Sequence, residues 1–472
     1  MAAIALVAVA AALRLYGLGS GLWYDEIVTL VESARPPLAS IVTDFPGVNA
    51  HPLYSVLAHG SITAFGESSW ALRLPAALFG IGSVWAAFTL GRRLTSPAEA
   101  WAGALLLAVS YHHIWFSQNA RGYTMMGFFA LGSTISLLRA AESGRRRDYV
   151  LYALACAAGV YTHLTMAFVV AGHAVVILGG RIVGWRPALG HPWKAVTLSW
   201  IGAAAVAGAL YAPFLPGLAA HFGAARPVTA ANVATGGWAI SEALRSVLSG
   251  AGVPAALAGG LVAAIGTWSL WRRAPLGTAL LVMPAVVTVA AIVALGQPMR
   301  PRFFFFLSGA AAVFAGRGFG ALAGAFARRR GSGGAPASTA AIIAGALVLA
   351  AASGAALARN YQIPKQDFDG AVRHLEGEEA AGARVAAAGP ACFPIARYFN
   401  KTAWPCLETA ADLASFATAP GRAIVVYTLG DYIDDPELRR QLPATCREVR
   451  RLPGTLGGGD MVLCDPSGRE AR

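Results

Sequence analysis

Asp25 and Glu26, in the run Leu22-Trp23-Tyr24-Asp25-Glu26, are adjacent carboxylates in a chain that has few of them. Only 13% of the 472 residues are charged against 56% hydrophobic, and no acid occurs between residues 74 and 98. A carboxylate taken out of water without a partner is costly, so an acidic pair at a membrane surface is a functional-site candidate. Its chemistry would be that of a general base, taking a proton from an attacking hydroxyl or amine. The plainer alternative is helix capping, because acids in a first turn are favoured by the helix dipole.

Arginine supplies the complementary chemistry. Arg73, Arg121, Arg300 and Arg302 stand at helix mouths or in short loops, on the side where Asp25 is expected. Guanidinium is planar, permanently charged and a bidentate match for phosphate. Such groups beside a base suit a phosphate leaving group. Any one of them could instead snorkel to lipid headgroups; the set of four carries the reading. His51 and Tyr54, in Asn49-Ala50-His51-Pro52-Leu53-Tyr54, can face one cavity across a turn, since Pro52 stops a helix from running through. His163, in Tyr161-Thr162-His163, is a further candidate for phosphate or sugar contact. His112 and His113 diverge by about 100° on a helix and make a poor metal pair. Trp23, Tyr24 and Tyr54 read equally as an interfacial aromatic belt.

Membrane topology must position these residues. A net charge of +13, 54 glycines and a mean hydropathy of +0.55 point to a polytopic α-helical membrane protein. A spanning helix needs about 20 mostly apolar residues, and about eleven candidates can be marked. They lie near 1–19, 72–91, 99–116, 123–138, 149–163, 164–180, 195–215, 252–271, 275–296, 303–320 and 338–358, with 149–180 readable as one element turning at 161–163. The first lacks a basic start and a clean cleavage site and reads as a retained anchor. Basic clusters at Arg92-Arg93, Arg139 with Arg145–Arg147, Arg181–Lys194, Arg272-Arg273 and Arg328–Arg330 each follow an even-numbered segment. Short basic loops favour the cytoplasm. The opposite, extracytoplasmic face then receives residues 20–69, 111–123, 161–163, 216–250, 296–302 and everything after about 359. The positive charge needs no nucleic acid, because anionic lipid accounts for it.

The tail, 359–472, reads as a small α/β domain outside the membrane. Arg384–Ala388, Ala423–Tyr427 and Met461–Cys464 look like strands, and Gln366–Glu379 and Pro436–Gln441 like helices. Four of the five cysteines fall here, and in an exported domain they favour disulfides over zinc, with three connectivities open. The preferred pairing joins Cys392 to Cys406 across a short loop and Cys446 to Cys464 across neighbouring strands. Reduction is expected to loosen the tail and to spare the first loop, which has no cysteine.

The ordered set Trp-x-Asp-Glu, His-Pro-Leu-Tyr, Arg-Leu-Pro, Ser-Gln-x-x-Arg-x-Tyr, Tyr-Thr-His and Arg-Pro-Arg-Phe resembles the bacterial branch of the GT-C glycosyltransferases. It is similar to the protein O-mannosyltransferase and aminoarabinose-transferase group, glycosyltransferase family 39, over roughly residues 14–320. The resemblance implies a GT-C-like transmembrane catalytic domain over 1–358, with its first loop at about 20–70, and an extracytoplasmic α/β domain over 359–472. It also implies residence in the bacterial inner membrane. The implied reaction is inverting transfer of a sugar from a polyprenyl-phosphate donor to a protein, lipid or glycan acceptor of the envelope. Asp25 would be the base, Glu26 would orient it or the acceptor, and the arginines would neutralise the departing phosphate. Two departures stand out: a single Pro52 replaces the usual double proline, and Asn119 replaces a common acid. No Gly-rich nucleotide loop is present, which fits a lipid-phosphate donor. No cofactor is implied, and dependence on a divalent metal is left open. The competing reading is a flippase for a lipid-linked glycan, which the lack of an internal repeat and the one-sided acids disfavour.

Overall fold

The computed structural model describes residues 2–45, 47, 50–189, 193–223, 254, 256–296, 299–329 and 335–467. Asn49, Gln297, Pro298, Arg330 and residues 224–250 of the expected outer loop lie outside them. The chain divides into two compact units. One comprises Met1–Leu18, Pro37–Gly66 and Arg73–Leu357; the other comprises Gly19–Pro36, Glu67–Leu72 and Ala358–Arg472.

Helices dominate the chain. Among the described residues six are long and apolar enough to cross a membrane: Ser69–Leu94, Tyr123–Ser143, Trp193–His221, Pro275–Ala294, Leu307–Arg329 and Thr339–Gln362. Other expected segments are shorter pieces. Residues 1–19 give the helix Ala2–Leu15, and 99–116 divide into Pro97–Ala108 and Tyr111–Ser117. Both of these pieces have local start signals. Ser96 and Glu99 form a capping box on the first, and the Ser110 hydroxyl accepts the His113 N–H on the second. The 149–180 region holds Arg146–Thr162 and Met166–Ala174, parted where His163 adopts an extended backbone, and the second continues as a π-helical turn over Val175–Gly179.

Glycine lets two of these helices meet backbone to backbone. A Cβ on Gly103 would stand 2.3 Å from the Ala312 carbonyl oxygen, and one on Gly316 would stand 2.1 Å from that of Glu99. Small residues at helix contacts allow such approach in membranes. Glu99 pairs there with Arg317, whose Nε and NH2 groups also reach Ser269 Oγ at 3.0 and 2.8 Å. Full pairing is what makes a buried ion pair tolerable.

Among its described residues the second unit carries five strands: β1 Arg384–Ala388, β2 Cys406–Leu407, β3 Ala423–Tyr427, β4 Arg447–Leu452 and β5 Met461–Asp465. They form one sheet in the order β2-β1-β3-β5-β4, parallel from β2 to β3 and antiparallel at β5. Ala386, Val425, Leu438, Leu442 and Cys464 are among the buried residues of its core. Disulfides join Cys392 to Cys406 and Cys446 to Cys464, the preferred pairing. The acidic helix Tyr24–Val28 belongs to this unit, not to the larger helical one.

Candidate functional site

In the larger unit, three helix ends bring aromatic and imidazole rings together. His51 directly precedes the helix Pro52–Phe65, whose first-turn proline has its φ preset and no N–H to satisfy. His163 closes Arg146–Thr162, and Tyr123 opens Tyr123–Ser143. The His51 ring centroid lies 4.7 Å from that of His163 and 4.8 Å from that of Tyr123, with Tyr123 and His163 5.8 Å apart. Gly122 permits the approach, because a Cβ there would stand 3.0 Å from His51 Nδ1 and 2.8 Å from Thr162 Cγ2. All three rings are buried, at 4%, 2% and 2% exposure for His51, His163 and Tyr123.

Their polar atoms are the informative part. The Tyr123 hydroxyl and His163 Nε2 have no hydrogen-bond partner among the described residues, and the His51 ring has the Thr162 backbone as its polar neighbour. The Thr165 N–H donates to His163 Nδ1 at 3.2 Å. A backbone N–H only donates, so the proton of the neutral His163 ring is on Nε2. An unsatisfied buried polar atom costs roughly 1–3 kcal/mol. Two in one place are what a polar ligand site looks like. Arg121 and Arg302 are near enough for their charges to act on His51. Burial is the larger influence and holds the His51 ring well below its ordinary pKa, with Arg121, His163 and Arg302 pushing the same way and the Thr162 backbone opposing them. Neutral N–H and O–H groups next to guanidinium charge favour an oxyanion.

The remaining expected residues of this unit are placed as follows. Tyr54 is fully buried in the first turn of its helix. Arg73 is buried, and its NH1 donates to the Leu18 carbonyl at 2.9 Å. Arg300 begins the 3-10 turn Pro301–Phe304, and Arg302 lies within it. Tyr123 is a site residue that the sequence analysis does not single out. Its signal was the Arg-x-Tyr spacing that sets it two residues from Arg121. His113 faces inward to Arg14, whose guanidinium donates to its Nδ1 at 2.8 Å and to the carbonyls of Leu107 and Ala108. Gln118 Nε2 donates to the carbonyls of Arg14 and Tyr16 at 3.2 and 2.6 Å. Gln118 of the motif therefore ties the 111–121 segment to the end of the first helix.

In the smaller unit, Asp25 is half-buried and its carbonyl accepts the Thr29 hydroxyl at 2.7 Å. Glu26 is fully enclosed; it accepts the Trp23 N–H at 3.4 Å and lies 3.9 Å from Lys365 Nζ. Enclosure suits Glu26 to fixing the helix that carries Asp25, and Asp25 is the more open acid. Burial, and then the Asp25 charge, raises the Tyr24 phenol above its ordinary pKa. Among the described residues, no three His, Cys, Asp or Glu side chains are grouped to hold a metal ion.

Residues 49–212 match the family model described as dolichyl-phosphate-mannose-protein mannosyltransferase. That stretch contains His51, Tyr54, Arg73, Arg121 and His163. No curated protein sequence matches the chain. Its fold is similar to that of ArnT from Cupriavidus metallidurans in the apo state, with a TM-score of 0.56, 13% identity and 99% of each chain covered. The ArnT structure bound to undecaprenyl phosphate gives 0.54 at the same identity and coverage. The Archaeoglobus fulgidus oligosaccharyltransferase in complex with Zn and sulfate gives 0.56 at 11% identity, covering 98% of this chain and 73% of that one. Family model and fold both bear out the resemblance to GT-C glycosyltransferases.

Proposed function

We propose that the protein is an inverting glycosyltransferase that moves a sugar from a polyprenyl-phosphate donor to an acceptor at the outer face of a bacterial inner membrane. The observation that carries this reading is the buried group of His51, Tyr123 and His163, with polar atoms unsatisfied among the described residues and Arg121 and Arg302 acting on it. Its chemistry fits a phosphate, the group on which negative charge accumulates as the glycosidic bond breaks. Support comes also from the ArnT relative of the same fold, solved with undecaprenyl phosphate. Arg73 and Arg300 are assigned to the donor phosphate as well, and Tyr54 to substrate contact. Asp25 is assigned as general base, with Glu26 steadying it. The acceptor oxygen or nitrogen loses its proton to Asp25 and forms a bond to the anomeric carbon. The bond from that carbon to the phosphate oxygen breaks on the opposite side, which inverts the centre.

Purified protein incubated with polyprenyl-phosphate sugars and envelope extracts tests the assignment. Sugar transfer with release of polyprenyl phosphate supports it; movement of the lipid between leaflets without bond cleavage supports a flippase instead. Asp25→Asn should lower turnover by roughly 10²–10⁴ while expression and insertion stay intact. Turnover above about a third of wild type in that variant would remove Asp25 from the base role.

A further inference from the structure

We infer that Gln366 and Lys365 are positioning residues for Asp25, holding the helix Tyr24–Val28 against the sheet of the same unit. The inference rests on the reading of Asp25 as the base. Tyr24 opens that helix, and the preceding Trp23 supplies no side-chain cap for its N–H groups. The first amides of a helix have no partner within it. Gln366 Oε1 accepts the Tyr24 N–H at 2.9 Å, and Gln366 Nε2 donates to Thr428 Oγ1 at 2.9 Å. Thr428 directly follows β3, and both Gln366 and Thr428 are 1% exposed. One buried amide thus links the residue next to Asp25 with the end of a central strand. Its orientation is fixed, because a backbone N–H must meet the oxygen end.

Lys365 makes the second tie. Its ammonium lies 3.9 Å from Glu26, at 10% and 0% side-chain exposure respectively. Lys365 is itself held by the turn between β4 and β5. Its carbonyl accepts the Leu456 N–H at 3.3 Å, and the neighbouring Pro364 carbonyl accepts the Thr455 N–H at 2.9 Å. A Cβ on Gly454 would stand 2.5 Å from the Lys365 oxygen, so the turn approaches as closely as glycine permits. Gly21 makes a further close approach: a Cβ there would meet the Asp369 carboxylate at 2.2 Å. Contacts to Tyr24 and Glu26 flank Asp25 on both sides. A general base must be held near its productive geometry, and a misplacement of about 1 Å can cost about 10²-fold in rate.

The test uses the full-length protein in lipid nanodiscs, comparing Gln366→Ala, Lys365→Met and Lys365→Arg with wild type. In Gln366→Ala and Lys365→Met, amide exchange across residues 22–34 should quicken about tenfold or more, with β1 and β3 unchanged, and kcat should fall about tenfold at constant donor KM. Lys365→Arg, which keeps the charge, should stay within about threefold of wild type. Wild-type exchange across 22–34 in both disrupting variants overturns the inference, as does faster exchange with unchanged kcat. If one of them loses protection throughout the sheet, the other decides. Asp25→Asn measured alongside separates the two ideas. An active Asp25→Asn overturns the base reading, whereas an inactive one beside a fully active Gln366→Ala overturns the positioning role alone.

Discussion

Burial holds the His51 imidazole well below its ordinary pKa, and Arg121, His163 and Arg302 push it further down. The unfolded chain protonates this ring near pH 6.5, whereas the folded protein does not. The unfolded state therefore binds more protons below that pH, and stability falls as the medium is acidified. The contribution is full above about pH 6.5 and declines below it, by up to about 1.4 kcal/mol per pH unit. Thermal unfolding in detergent at pH 7.5 and pH 5 should show this loss in wild type and a smaller one in His51→Gln. An equal pH dependence in both would remove His51 from the account. His51 and His163 were legible as candidates because each stands at a break: Pro52 follows one, and the other ends a polar turn between apolar runs. That their rings meet was not legible, since they are 112 residues apart in the chain.

At the level of elements, hydropathy located the long helices and blurred the short ones. Residues 99–116 are apolar enough to read as one span, yet Ser110 caps a new helix inside them. In the sheet, β1, β3 and β5 were legible as apolar runs, whereas β4, Arg-Glu-Val-Arg-Arg-Leu, was not. It is an edge strand exposed at every position but Leu452, and charge on such an edge discourages pairing with other chains. Glycine was the least legible signal: among 54, composition does not single out Gly103 and Gly316. The backbone contacts at these two do. Gly316→Val should cost about 1–3 kcal/mol, as overpacking does, because the added carbons meet the Glu99 carbonyl rather than a movable side chain. Gly324→Ala is the control, its nearest contact within 4 Å being the tip of Arg328 at 3.4 Å. Equal melting temperatures for the two variants would contradict the close packing.

For the whole molecule, two expectations concern what lies where and what moves together. The alternation of basic loops leads us to expect Arg145–Arg147 in the cytoplasm. Cysteines introduced there should resist an impermeant thiol reagent in intact cells, and ready labelling from outside would invert the proposed orientation. The second expectation changes with the structure. A cysteine-free first loop looked independent of the tail, but Gly19–Pro36 lies in the same compact unit as Ala358–Arg472. The Cys446–Cys464 bridge joins the start of β4 to β5, and the turn between those strands grips Pro364 and Lys365. From there Gln366 and Lys365 reach Tyr24 and Glu26. Sequence pattern could not show this, because the contacts join residues more than 300 positions apart. Each bridge closes a loop of a size worth about 3 kcal/mol in the chain-entropy model. Reduction should therefore quicken amide exchange in β4 and β5 and also across residues 22–34, and should slow sugar transfer. Cys446→Ser with Cys464→Ser should reproduce both effects without reductant. Cys156, a buried free thiol of the larger unit, should reproduce neither when changed to Ala. Reduction that frees β4 and β5 while residues 22–34 keep their protection would show that the loop is held by something other than this turn.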